Sequence, residues 1–482
     1  MSDPHHERRW LILAVIAIAQ LLVVLDVTIV NIALPSAQQD LGFSDDDRQW
    51  IITAYALAFG SLLLLGGRIA DLFGRKRTFL IGLIGFAAAS AAGGAAQSFG
   101  LLVGARAAQG VFAALLAPAA LSLLATTFTD PAERGKAFGV YGAIAGAGGA
   151  FGLLLGGFLT EVLDWRWCLY VSILFALPAA VAGQRLLHHM PAPNRPRLDI
   201  PGTVVASSGL FSLVYGMSRA TTDGWGDPVT LAFLGAAAVL LVGFVALQRF
   251  VANPLLPLRV VTDRNRGGSF LAIATAGAGI FGVFLFLTFY LQTIKQMTAL
   301  ETGLAFLPMN IAIIITATLV NTRILARTGP RPLIPTGMVI AAAGMALLTG
   351  IGIDTAYASH VLPSLVLIGI GFGLVVAPSF ATATLGVRRD ESGAASAMVS
   401  TSQQVGGSIG TALLSTLAVS ATTDFMADHG PRFTAQAAVE GFTTAFWWAA
   451  AIFAVGAVVT GALLRSGVRP ETAHAPAEVV AA

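Results

Sequence analysis

Leu11 to Pro35 reads LILAVIAIAQLLVVLDVTIVNIALP. A helix that crosses a bilayer needs about 20 apolar residues, and this stretch supplies them with Gln20, Asp26, Thr28 and Asn31 as its polar interruptions. An ionised carboxylate at the centre of a membrane helix costs about 3 kcal/mol or more, so Asp26 is expected to face protein or water and to serve a purpose there. The run is too long for the core of a cleaved signal, and many similar runs follow. It is therefore read as the first membrane helix, although ALPSA at Ala33 to Ala37 has the form of a cleavage site.

The remainder of the chain carries the same signature. Its 482 residues are 56% hydrophobic and only 11% charged, with a mean hydropathy of +0.79. That composition fits an all-α polytopic membrane protein and excludes a soluble globular one. One cysteine, Cys168, excludes a disulfide framework and any multi-cysteine metal centre. The seven histidines fall in the tails or between apolar runs, so no metal site and no cofactor is expected within the membrane. No GxxxxGK[ST] loop is present to drive a nucleotide-powered pump. Nor does the sequence offer the nucleophile-and-base pair of an enzyme.

Apolar runs fall near 11–34, 49–66, 78–97, 101–128, 138–160, 167–186, 201–218, 229–250, 268–291, 303–322, 333–353, 361–386, 394–420 and 442–464, which predicts fourteen transmembrane helices. An even number puts both tails on one side. Of the 28 basic residues, Arg48, Arg166, Arg219, Lys295 and Arg432 fall on the opposite side and Arg106 within a span, so the other 22 share the side of the tails. The positive-inside rule makes that side the cytoplasm. The net charge of +3 is then a topological signal and implies no nucleic-acid partner.

The chain also repeats. RIADLFGRKR (Arg68 to Arg77) aligns with RILARTGPRP (Arg323 to Pro332) at an offset of 255, and Gly135, Gly148, Gly149 and Gly152 fall on Gly393, Gly406, Gly407 and Gly410 at an offset of 258. The expected organisation is an N-terminal six-helix bundle over 1–190, two inserted linker helices over 191–260, and a C-terminal six-helix bundle with its tail over 261–482. Repeats of this kind are the usual build of secondary transporters, whose site lies near mid-membrane between the halves.

LDVTIVNIALP (Leu25 to Pro35), GGRIADLFGRKRT (Gly66 to Thr78) and LLVGARAAQGVFAA (Leu101 to Ala114) resemble three motifs of the major facilitator superfamily, in its 14-helix drug:proton antiporter branch. They correspond to that family's first helix, its loop between helices two and three, and its helix four. Gly139, Gly148, Gly152, Gly156 and Gly157 are similar to its helix-five antiporter motif. The likeness covers nearly the whole chain. Two positions depart from it: Leu153 stands where proline usually follows the third glycine, and Leu72 where a basic residue usually follows the loop aspartate.

Burial penalises the charged form of a carboxylate, so Asp26 is the expected proton carrier. The bland alternative is a structural carboxylate held by nearby hydroxyls. At 1.5 Å per residue Asp26 lies roughly 12 Å below the outer end of its helix and Arg106 roughly 8 Å below that of helix four, so the two are expected to approach each other. Asn31 is roughly 140° round the helix from Asp26 and makes a poor partner. The resemblance implies that the loop with Gly67, Asp71, Gly74, Arg75 and Arg77 latches the halves together when the cavity opens outward. On the residues alone, the two glycines permit a tight connection and the charges also fix topology. Gly148, Gly152 and Gly156 form one flat stripe for close helix approach, expected to lie between the halves. By the family pattern, helices one, four, nine and twelve line the cavity. That pattern, with Tyr55 on helix two, nominates Tyr55, Gln109, Phe112, Phe281, Phe284, Ser379 and Phe380, although plain lipid-facing or core packing is the stronger reading of each taken singly.

The combined expectation is a proton-coupled antiporter that expels hydrophobic, amphipathic or cationic drug-like compounds by alternating access. A dedicated exporter of one endogenous antibiotic or lipid fits the same residues. A non-transporting membrane sensor with this fold would be expected to have lost the buried charges. The expected partners are a small-molecule substrate, protons and the lipid bilayer, around a monomer. Arginine outnumbers lysine 25 to 3, a coding bias suited to a GC-rich bacterium, so the expected location is a bacterial inner membrane with both termini cytoplasmic.

Overall fold

The computed structural model describes residues 4–187 and 198–465; the expected boundary at 190/191 and the pair His188 and His189 lie outside the described residues. Among the described residues fourteen long helices follow one another. They are α1 (Pro4–Leu41), α2 (Asp45–Phe73), α3 (Arg75–Gly94), α4 (Phe99–Thr127), α5 (Pro131–Val162), α6 (Trp167–Leu186), α7 (Ile200–Thr222) and α8 (Pro228–Leu247), then α9 (Arg264–Phe289), α10 (Leu307–Leu319), α11 (Pro330–Leu348), α12 (Leu362–Ala383), α13 (Ser392–His429) and α14 (Thr434–Leu463). Among the described residues thirteen spans are long and apolar enough to cross a membrane, α10 being counted with the helical segments that flank it as Leu300–Ile324. The remaining helix, α5, is 32 residues long and contains the apolar run 138–160. The protein is an all-α membrane protein, as its composition requires.

Local chemistry sets the helix starts. The first amides of a helix have no partner within it, and side chains supply one: Ser44 for α2, Ser98 for α4, Asp199 for α7, Asp227 for α8 and Asp263 for α9. The helices run longer than the apolar runs alone indicate. In particular α2 continues to Phe73, so Arg68 to Asp71 is helical and the connection to α3 shrinks to Gly74. Gly74 has φ +94° and its repeat partner Gly329 has φ +74°. A side chain is strained in that left-handed region, so glycine makes the same joint in both halves.

The most buried spans are α1, α4, α9 and α12, while α8 is the most exposed, with Val239 and Val242 bare on its outer face. The repeat extends to packing: α5 lies along α1, and α13 lies along α9. Of the inserted pair, α8 packs on α7, and α7 lies against both α2 and α13. The inserted hairpin therefore covers a seam between the two halves.

Candidate functional site

Arg106 and Gln109 stand three residues apart on α4 and so share a face. That face meets α1 at Asp26. Arg106 Nη1 donates to Asp26 Oδ2 at 2.6 Å and to Gln109 Oε1 at 2.7 Å, and Gln109 Nε2 donates to Asp26 Oδ1 at 2.9 Å and to Ser90 Oγ of α3 at 2.7 Å. Asp26 and Gln109 are fully buried and Arg106 is 2% exposed. The guanidinium also donates through Nε to the Ile51 carbonyl at 3.3 Å and lies 4.5 Å over the Tyr55 ring. Gly110 makes room for this, because a Cβ there would stand 2.5 Å from the Tyr55 carbonyl oxygen. Asn31 is exposed and takes no part in the network.

The cation is satisfied from several sides. Besides Asp26, Arg106 has the Gln109 oxygen, the Ile51 carbonyl and a ring face, which attracts cations. Buried charges are tolerated where such partners exist.

At the arginine-rich end the halves meet. Asp71 accepts from the amides of Gly393 at 2.9 Å and Ala394 at 3.2 Å, at the start of α13. Arg75 lies 3.6 Å from the same carboxylate. Gly67 is not part of a turn; its bare Cα lets α2 touch α13, since a Cβ there would stand 2.4 Å from the Gly393 carbonyl oxygen. Ser122 and Ser392 hydroxyls lie 2.8 Å apart across the same seam, and Arg134 Nη2 donates to Thr384 Oγ1 at 2.8 Å across the other. Arg77 is exposed, and Lys76 donates to the Gln184 carbonyl at 2.7 Å.

The structure corrects several expectations. Gly148, Gly152 and Gly156 do not lie between the halves; Cβ atoms there would strike Val24, Thr28 and Ile29 of α1, in the same half. Helical periodicity shows that such a stripe is flat but not which neighbour it meets. Gly139 does face the other half, at Ala317, and Gly157 is buried. Gln109 and Tyr55 belong to the charge network. Phe112 packs onto Gly85 of α3, Phe281 onto Gly407 of α13, and Phe284 onto Gly149 and the Phe306 ring. Ser379 is buried, and its Oγ has no partner among the described residues. Phe380 alone among the nominated residues lines the void between α5, α9, α12 and α13, together with Phe372, Ile280 and Gln403. That void is about 10 Å³, against the 300 Å³ or so that a drug-sized ligand requires, so it is too small to hold such a ligand as it stands.

Sequence reasoning missed Ser90, which gives no signal as one serine among small residues. It also missed the 2.6 Å hydrogen bond from Tyr141 of α5 to Gln20 of α1. For Gln109 the signal was present in its spacing from Arg106.

The sequence model of the Major Facilitator Superfamily matches residues 16–411. Over 95% of this chain, and 92% of the relative, 53% of residues are identical to those of the puromycin resistance protein pur8 of Streptomyces alboniger. Identity to the cephamycin export protein CmcT of Amycolatopsis lactamdurans is 39%, over 84% of each chain. Among solved structures, the proton:xylose symporter XylE is similar with a TM-score of 0.66 at 16% identity, covering 96% of this chain and 97% of that one, a likeness of fold alone.

Proposed function

This chain belongs to the major facilitator superfamily, and from that premise we propose that it is a proton-coupled exporter of hydrophobic or amphipathic small molecules, antibiotics among them. It is a multi-pass membrane transporter and not an enzyme. The observation that carries the proposal is the ion pair of Asp26 with Arg106, fully enclosed in the middle of a membrane-spanning bundle. Ionisable groups at such depth mark ion pathways. Asp26 carries the proton. Arg106 pairs with the carboxylate, and loading the proton removes the charge that the arginine holds, so the grip of α4 on α1 weakens and protonation is linked to helix movement. The relatives named for puromycin resistance and cephamycin export support antibiotics as the substrate class.

Alternating access proceeds by rocking of an N-terminal bundle (1–190) against a C-terminal one (261–482), with 191–260 as the inserted hairpin. The arginine-rich end is cytoplasmic, in the inner membrane of a bacterium, and Gly67, Asp71, Gly74 and Arg75 form the latch that keeps that end shut. Substrate binds as a monomer's cargo between the halves, beside Phe380 and Gln403, once that void widens.

The test is uptake of a panel of dyes and antibiotics into inverted vesicles under an imposed pH gradient. Uptake that follows the gradient and is absent in Asp26→Asn is the expected result; equal uptake without a gradient overturns proton coupling. The same panel separates a broad pump from an exporter of one antibiotic, a narrower reading favoured by relatives named for single compounds.

A further inference from the structure

The long helix α13 begins without a cap of its own. An N-cap side chain normally accepts from the second or third amide of its helix. Glu391 occupies the N-cap position of α13, but its side chain makes no such bond. The second and third amides belong to Gly393 and Ala394, and both donate to Asp71 of α2. The cap is supplied in trans, by the other half.

Arg259 accounts for the idle carboxylate. Its Nε donates to Glu391 Oε2 at 3.2 Å and its Nη2 donates to Oε1, while Arg388 Nη2 stands 3.5 Å from Oε1. Glu391 is 5% exposed, so this pairing holds a buried carboxylate in place. Arg259 itself sits on a stiff mount. Asp199 accepts from Gln248 Nε2 at 2.7 Å and from the Leu255 amide at 3.4 Å, and Gln248 Oε1 accepts from the Leu256 amide at 2.9 Å. Leu255 and Leu256 pack in one cluster with Leu64 of α2 and Ala397 of α13. The exit of the inserted hairpin thus lies on the seam that the latch closes.

We propose that Arg259 is a positioning residue for the latch: by drawing Glu391 aside it withholds the local cap of α13 and leaves the first amides to Asp71. The inserted hairpin thereby biases the cytoplasmic gate toward closed, a role beyond joining two halves. This rests on the alternating-access reading above. When Arg259 lets go, Glu391 is free to compete with Asp71 for the same amides. Loss of one cap changes such an equilibrium about fivefold.

Ser122 touches Ser392 across the closed seam, so Ser122→Cys reports gate opening through reaction with an impermeant maleimide in inside-out vesicles. In that background Arg259→Ala should label about fivefold faster, converting a cap's usual contribution to a rate ratio. Glu391→Ala should label like the parent, and Arg259→Ala with Glu391→Ala should return close to it, because the competitor has been removed. Arg259→Gln serves as the second variant should the alanine reach the membrane poorly. The proposal is overturned if Arg259→Ala leaves labelling unchanged, or if Glu391→Ala and the double variant label as fast as Arg259→Ala, the pattern of a pair that merely braces the fold. Asp71→Asn should open the gate in every background. If it does not, the latch itself fails and the proposal with it, an outcome distinct from either of the Arg259 results.

Discussion

Asp26 illustrates how a single residue can be constrained by a membrane. Its two carboxylate oxygens are taken by Arg106 and Gln109, with no lipid contact. Asp26→Asn is isosteric and keeps an acceptor for Arg106, so it should fold and insert while losing efflux driven by a pH gradient, as vesicle uptake would register. Arg106→Ala strips a buried carboxylate of its cation, and breaking such pairs costs about 3–5 kcal/mol; a lower Tm in detergent is expected. Arg106→Lys keeps the charge but loses the forked geometry, and should retain more stability. Because the proposed coupling runs through the contact of Asp26 with Arg106, removing the arginine should also change the pH profile of efflux. A slower rate on an unmoved profile would count against coupling.

Between helices, glycine decides how near two backbones come. A Cβ at Gly152 would stand 1.9 Å from Thr28 Oγ1, with the Thr28 Cβ and the Leu25 carbonyl close behind. Overpacking of this kind costs about 1–3 kcal/mol. Gly152→Val should therefore lower the detergent Tm and the amount of folded protein, with Thr28→Ala recovering part of the loss. Gly139 is looser, at 3.3 Å from the Ala317 carbonyl oxygen. Gly139→Ala should leave Tm close to the parent, and any effect should fall on transport rate, because that contact is between halves.

Across the whole molecule, two halves touch through Gly67 and Gly393 at one seam and through Gly135 and Asn321 at the other. Gly67→Ala puts a methyl 2.4 Å from the Gly393 carbonyl oxygen and 2.5 Å from the Ala397 Cβ, where neither neighbour can yield without α2 and α13 parting. The variant should fold, label faster at the cytoplasmic gate and export more slowly. Topology is checked separately: a reporter joined after Ala482 should be active only on the cytoplasmic side.

The sequence by itself determined the class and the repeat. Apolar runs long enough to span, basic residues concentrated in alternate gaps, and glycines recurring at offsets of 255 and 258 follow from bilayer thickness and helix geometry, which act locally along the chain. The depths of Asp26 and Arg106 were legible for the same reason, since rise per residue is fixed. What tertiary structure decided is which face meets which neighbour. The stripe of Gly148, Gly152 and Gly156 turned out to serve α1, Gln109 joined the charge network, and Glu391 left its own helix uncapped for Asp71 to cap. In a bilayer every helix is apolar all round, so hydrophobic pattern cannot tell a lipid face from a packing face. Only the shapes of neighbouring helices, brought together, make that choice.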